Sequence, residues 1–243
     1  MRHFIKILFV LSSCFLIVPE QAQSQGRFGT SNRIVNDGFK ARGLWFYDND
    51  NITSGELSTA ANYGVVGTHR IYQWNLIETA DGTFDFTDFF DNSQRFAAAG
   101  LYYTVQFNTG PDAPISGATD WLADLGVATF TTTGGAENGP YPDYYDPVYE
   151  AQMHAFFDAI NVYIRDNFTA TMKRFLLAQY VVLGSTGDTG PWKGNSCTPS
   201  DCLGYTDDNT WKDWSIEQVQ YVQASIYKYR LTHAVGFNEG NNH

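Results

Sequence analysis

The chain has 243 residues, 17% of them charged and 16% aromatic, with a net charge of −11. Few charges and many rings reverse the composition of disordered chains, so one domain with a real core is expected. The acidic balance argues against nucleic acid or anionic membranes as partners; a neutral partner fits better, and aromatic rings suit the C–H faces of sugars.

The N-terminus reads as an export signal. Arg2 and Lys6 precede an apolar run, Ile7 to Val18, that Pro19 breaks. Ala22-Gln23-Ser24 offers a small-x-small cleavage site, so residues 1–24 are expected to leave. No second run of membrane length follows, and the mature chain is expected to be secreted or periplasmic with no membrane contact. Cys14 leaves with the signal. Cys197 and Cys202 remain, and in an exported protein they are expected to close a local disulfide.

Residues 25–40 form a polar leader to a domain at 41–243. Ala41–Tyr47 is a predicted strand, and Glu56–Tyr63 a short helix stopped by Gly64. Val65–Tyr72 is the second strand. Asp88–Ala99 carries Phe89, Phe90, Phe96 and Ala97 at helical spacing before Gly100. Leu101–Phe107 is the third strand. The stretch from Ala113 to Pro147 is too long for a mere connection and is expected to be functional or an embellishment. Tyr149, Met153, Phe156, Ile160 and Tyr163 mark one helical face ending near Asn167, and Phe175–Leu183 is the fourth strand. A last helix is predicted over Ser215–Leu231, with Ser215 and Gln218 as a capping box.

Strand-helix alternation implies parallel strands with right-handed crossovers. Either an open doubly wound sheet or a (β/α)8 TIM barrel satisfies it. No glycine-rich phosphate fingerprint follows the first strand, which disfavours a nucleotide-binding sheet. Polar and aromatic residues gather after strand C-termini, where barrels carry their sites: Asp48, Trp74, Asn108, Asp112, Asp188 and Trp192. A barrel is preferred, with four of its eight βα units present. The chain is therefore expected to be the N-terminal half of a longer protein.

The run Phe175–Leu183 ends in small residues and then Asp188, as a buried strand does when it delivers one carboxylate to a rim. Asp188 is the candidate general acid/base; as an acid it needs burial against Trp192 or a second carboxylate to stay protonated. Trp45, Trp74 and Trp192 can stack on pyranose faces or serve as packing. Gln106 and Asn108 can bind sugar hydroxyls or satisfy loop backbone groups. His69 is expected to be a packed core residue. No spacing suggests a catalytic metal, no cofactor is implied, and no Gly-x-Ser-x-Gly motif supports a serine esterase.

The segment Gly67-Thr68-His69-Arg70-Ile71-Tyr72-Gln73-Trp74-Asn75-Leu76-Ile77-Glu78, followed by Gly82-Thr83-Phe84-Asp85-Phe86, resembles β-galactosidase-like glycoside hydrolases of family 42 and related retaining (β/α)8 glycosidases of clan A. The likeness runs from about Arg42 to Lys193 and includes Asp112-Ala113-Pro114 and Trp121-Leu122. It implies hydrolysis of β-linked sugars in an oligo- or polysaccharide. It puts the acid/base at Asp188, an aspartate where the family has glutamate, and makes Arg70 a support for the carboxylates. Glu78 becomes mainly structural. The family's nucleophile ends a seventh strand that this chain lacks. Retaining enzymes hold their carboxyls about 5–5.5 Å apart and inverting ones about 6.5–9.5 Å, so a shorter acid bears on the stereochemical outcome. The alternatives are a carbohydrate-binding protein without chemistry, or an inactive fragment.

Overall fold

A computed structural model of the chain describes residues 43–48, 52–115, 119–134, 138–184, 190–192, 194, 196–200, 202–226 and 232–235. The expected signal, the leader and Asp188 lie outside the described residues.

Five parallel strands form the main sheet: β1 (Leu44–Asp48), β2 (Val65–Gln73), β5 (Tyr102–Asn108), β8 (Leu176–Val182) and β10 (Thr232–Val235). They lie side by side in chain order, and every adjacent pair is parallel. A doubly wound sheet reverses its order at a switch point and puts helices on both faces. Unbroken order with crossovers of one hand keeps the helices on one face, as in a barrel wall. The fifth strand is an addition to the four predicted ones. Thr-His-Ala-Val is short and carries no alternation of its own.

Four of the helix starts described carry a side-chain cap. In α1 (Ser54–Asn62), Thr53 and Glu56 form a reciprocal capping box, and Gly64 takes a positive φ just beyond the end. The next two helices are a single turn, α2 (Trp74–Ile77), and α3 (Thr87–Ala98). After the short α4 (Trp121–Asp124), Asp146 accepts from the Val148 N–H at 2.7 Å and Pro147 opens α5 (Pro147–Asn167). A six-residue α6 (Ala170–Phe175), capped by Thr169, takes Phe175 out of the predicted fourth strand. The last helix, α7 (Asp208–Ile226), starts seven residues before the predicted Ser215, with the Asp207 side chain accepting from Thr210 N–H at 2.9 Å. Ser215 and Gln218 are therefore interior to it, and Gln218 is buried against His154 of α5 at 2.6 Å.

Aromatic residues fill the layer between helices and sheet. Phe107 of β5 meets Phe89 of α3 at 5.5 Å, Tyr72 of β2 at 5.6 Å and Phe156 of α5 at 5.9 Å between ring centroids. Tyr103, four residues earlier on the same face, meets Phe96 of α3 at 5.6 Å. Helices on both sides of β5 thus share one face of it, and edge-to-face and stacked ring pairs add to the area they bury.

The described residues of the stretch 113–147 include, after α4, β6 (Thr129–Thr133) and β7 (Tyr141–Pro142). Both join β9 (Ser196–Thr198) in a small antiparallel sheet, ordered β7-β6-β9. A separate hairpin, β3 (Glu78–Ala80) with β4 (Thr83–Phe84), follows α2. The Cys197–Cys202 disulfide, with Cα atoms 5.6 Å apart, closes the loop beyond β9.

Two glycines bring the ends of β5 and β8 together. A Cβ on Gly110 would lie 1.7 Å from the Gly184 carbonyl oxygen. Gly184 has φ +90°, and a Cβ there would lie 2.1 Å from the Gly190 carbonyl oxygen. Backbone cannot yield as a side chain tip can, so Gly110→Ala is expected to lower stability by about 2 kcal/mol or more. Urea unfolding checks this; an unchanged midpoint would show that the close approach is not a constraint.

Candidate carbohydrate site

Alternation divides the residues of β2 and β5 between two chemically different faces. Thr68, Arg70 and Tyr72 point to the helices. Gly67, His69, Ile71 and Gln73 point to the opposite, inner face, and register pairs them with Trp45 and Tyr47 of β1 and with Thr104 and Gln106 of β5 on that face.

The inner face carries a connected polar row. His69 Nδ1 lies 2.8 Å from Thr104 Oγ1, and its Nε2 lies 3.3 Å from Gln106 Oε1. Gln106 Nε2 donates to Asn108 Oδ1 at 2.7 Å, and Asn108 Nδ2 donates to Asp112 Oδ2 at 2.9 Å. Gln73 Nε2 donates to the other Asp112 oxygen, also at 2.9 Å. Asp112 is delivered by the tight turn Gly110-Pro111-Asp112-Ala113, closed by Ala113 N–H to Gly110 C=O at 3.0 Å. Proline suits the second position of such a turn. The Asp112 carbonyl in turn accepts from Asn75 N–H at 2.9 Å, tying the turn to the end of β2.

Rings flank the row. His69 lies 5.6 Å from Tyr47 and 5.1 Å, edge on, from Tyr180. The Trp45 indole lies against Gly67, where a Cβ would come within 2.6 Å of it. Burial pushes the His69 imidazole below its usual pKa, which favours the neutral ring, and the Gln106 hydrogen bond partly offsets this. Gln73 is exposed, His69 and Asp112 are half-buried, and Gln106 and Asn108 are buried. Solvent therefore reaches the two ends of the row rather than its middle.

Several expected site residues sit elsewhere. Arg70 faces the helices and pairs with Asp88 at the start of α3 at 3.0 Å, on the opposite side of the sheet from Gln106. Trp74 is fully buried beside Phe156 (5.1 Å), Tyr149 (5.9 Å) and Trp121 (6.2 Å), so it offers no face to a ligand. Trp192 is half-buried between Phe130 at 5.7 Å and Tyr205 at 4.6 Å, in the small antiparallel sheet and its disulfide loop. His69, expected in the core, lines the inner face instead. Asp112, expected among the residues at the strand C-termini, is part of the row, and Gln73 and Tyr47 join it without having been singled out. The signal for Gln73 and Tyr47 was parity with His69 along paired strands.

Glu78 is a framework residue. It accepts from Trp74 Nε1–H at 2.6 Å and from Gly82 N–H at 2.9 Å, and its carbonyl accepts from Trp121 Nε1–H at 3.2 Å. Among the described residues, no group of three or more His, Cys, Asp or Glu is placed to hold a metal ion.

No family model and no curated protein matches the chain. Among solved structures, the catalytic domain of β-amylase from Paenibacillus polymyxa superposes with a TM-score of 0.51 at 16% identity, over 73% of this chain and 48% of that domain. An exo-β-1,4-mannosidase from an Opitutaceae bacterium gives 0.45 at 13% identity, over 76% of this chain and 27% of that one. The chain thus spans about half the length of the β-amylase domain. That likeness shows the fold: the ordered parallel sheet corresponds to part of a (β/α)8 barrel.

Glu78 also makes a pH-dependent contribution to stability. Burial raises its carboxyl pKa, an effect its hydrogen bonds from Trp74 and Gly82 oppose. A carboxyl raised above its unfolded value holds its proton longer in the folded state. Its cost is absent below the unfolded value near 4.5 and grows as pH rises through the folded value. Unfolding free energies of wild type and Glu78→Gln, compared from pH 4.5 to 7, are expected to diverge, wild type losing ground as pH rises. Parallel curves would remove Glu78 as the source.

Proposed function

We propose that the chain is part of an exported, carbohydrate-active protein of the glycosidase type, acting on β-linked sugars. The observation that carries this reading is the polar row that runs from His69 in the middle of β2, beside Tyr47, to Gln73, Asn108 and Asp112 at the C-terminal end of a barrel-type sheet. Barrel enzymes build their sites on that end. Amide, carboxylate and hydroxyl groups in a row match sugar hydroxyls, and adjacent rings match sugar C–H faces. The β-amylase fold likeness and the sequence resemblance to β-galactosidase-like enzymes lend support. Export is supported by the N-terminal signal pattern and by the disulfide, which suits an oxidising compartment.

In this reading Asp188 protonates the leaving oxygen, Gln73 and Asp112 bind hydroxyls, and Gln106 and Asn108 hold them in place. The substrate is an oligo- or polysaccharide, and neither nucleic acid nor membrane is a partner. A second reading, sugar binding without hydrolysis, draws on one observation. Among the described residues, the inner face offers Asp112 but no second carboxylate at glycosidase spacing.

Asp188→Asn separates the two readings. A screen with nitrophenyl glycosides is expected to find a β-glycoside that wild type hydrolyses, with turnover falling about a hundredfold or more in the variant. Affinity for the same glycoside should be largely kept. If wild type binds sugars and hydrolyses none, the binding reading stands; if it binds none, both fall.

A further inference from the structure

The polar row has a direction, and its chemistry sets it. An ionised carboxylate only accepts hydrogen bonds. Asp112 takes one from Gln73 and one from Asn108, so both must turn their NH2 groups towards it. With its NH2 committed, Asn108 presents its carbonyl oxygen to Gln106, which must answer with its own NH2. Gln106 then presents its carbonyl oxygen to His69 Nε2, and only an N–H can satisfy it. His69 Nδ1 is left as the acceptor for the Thr104 hydroxyl, 2.8 Å away. Each step follows from the one before, whichever way an isolated amide would turn.

We propose that Asp112 is a positioning residue whose carboxylate, acting through Asn108 and Gln106, locks His69 as its Nε2–H tautomer and presents a neutral ring beside Tyr47 to a neutral, hydroxyl-rich ligand. The middle of this relay is buried, with Gln106 at 6% and Asn108 at 2% exposure. Water therefore does not readily reorient the amides, and low local polarity strengthens each link. Both ends reach solvent, so the group that sets the direction and the ring that receives it can touch one ligand. Among the described residues, none of the inner-face side chains of β1, β2, β5 and β8 is charged; the Arg70 guanidinium is felt at Tyr47 but is paired with Asp88 on the helix side, which leaves the Asp112 carboxylate as the charge within the described row. That suits a neutral sugar and opposes a uronate. The ligand part of this inference rests on the carbohydrate reading above, whereas the relay does not.

The test reads the tautomer directly by 15N NMR of histidine-labelled protein at pH 7.5, with His69 assigned by the signal lost in His69→Phe. Wild type is expected to show Nε2–H alone. Asp112→Ala unlocks the direction and is expected to populate a measurable share of Nδ1–H. Adding Asn108→Asp to Asp112→Ala moves the carboxylate one step along the row, where it accepts from Gln106, and should restore pure Nε2–H. A merely structural Asp112 predicts no such rescue. Wild type with substantial Nδ1–H would overturn the relay even if no variant folds; so would an Asp112→Ala spectrum matching wild type, or a double variant that stays mixed.

Titration with p-nitrophenyl β-galactoside and the corresponding glucuronide addresses the ligand. The galactoside should bind, weakening about tenfold in Asp112→Ala. Equal or tighter glucuronide binding would overturn the neutral-ligand part. Failure of both to bind, with the tautomers as expected, would overturn the carbohydrate reading and leave the relay intact.

Discussion

The structure depends on β5 being buried along its whole length yet facing two different environments. All seven of its residues are buried. Tyr103, Val105 and Phe107 are committed to the helices, where Phe107 alone joins two strands and two helices through ring contacts. The remaining positions, Tyr102, Thr104, Gln106 and Asn108, cannot join that layer without turning the strand over. A one-residue slip would bring Gln106 into the aromatic layer and Phe107 out of it. The aromatic packing thus fixes the register that assembles the polar row, although no residue of the row belongs to the core.

Two carboxylates show how context divides one chemistry. The carboxylates of Glu78 and Asp112 each accept from two groups named above, and they follow two adjacent interior strands, β2 and β5. Glu78 is buried among indoles, where its charge is a cost that Trp74 and Gly82 only partly offset. Asp112 is half-buried on a tight turn, and its acceptors engage two side-chain amides of the open face. The first holds a hairpin against the core. The second imposes order on its neighbours.

Much of the architecture was legible in the sequence because strong periods accompany long elements. The first four core strands, and the helices after the first three of them, stand where alternation and helical spacing put them, within a few residues. The misses have physical reasons. The resemblance made Arg70 a support for the carboxylates and Trp74 was left open between stacking and packing, because a motif does not give parity when both faces of a strand are covered. Parity sends Arg70 to Asp88, and the chain turns into α2 at Trp74 and buries its ring. The start of α7 was misplaced because Ser215 and Gln218 imitate a cap, while Asp207 supplies the real one. The small antiparallel sheet was unreadable because its strands are short and its pairings are long-range. The inner-face row was half-legible: Gln106 and Asn108 were recognised as polar strand-end residues, but the link from Asp112 to His69 exists only once β2 and β5 are paired.

The pairing of β6 with β9 has a consequence of another kind. β6 belongs to the connection after β5 and β9 to the connection after β8, and Thr131, Thr132 and Thr133 lie in register with Thr198, Cys197 and Ser196. Thr133 and Ser196 hydroxyls add a cross-strand link at 2.7 Å. In most barrels each such connection can lengthen, shorten or diversify by itself. Here an insertion within β6 or β9 would slip a shared ladder, so these two segments must change together. Two connections at one end of the sheet are therefore tied into one heritable unit, and variation in length would come more easily in the parts left outside that ladder.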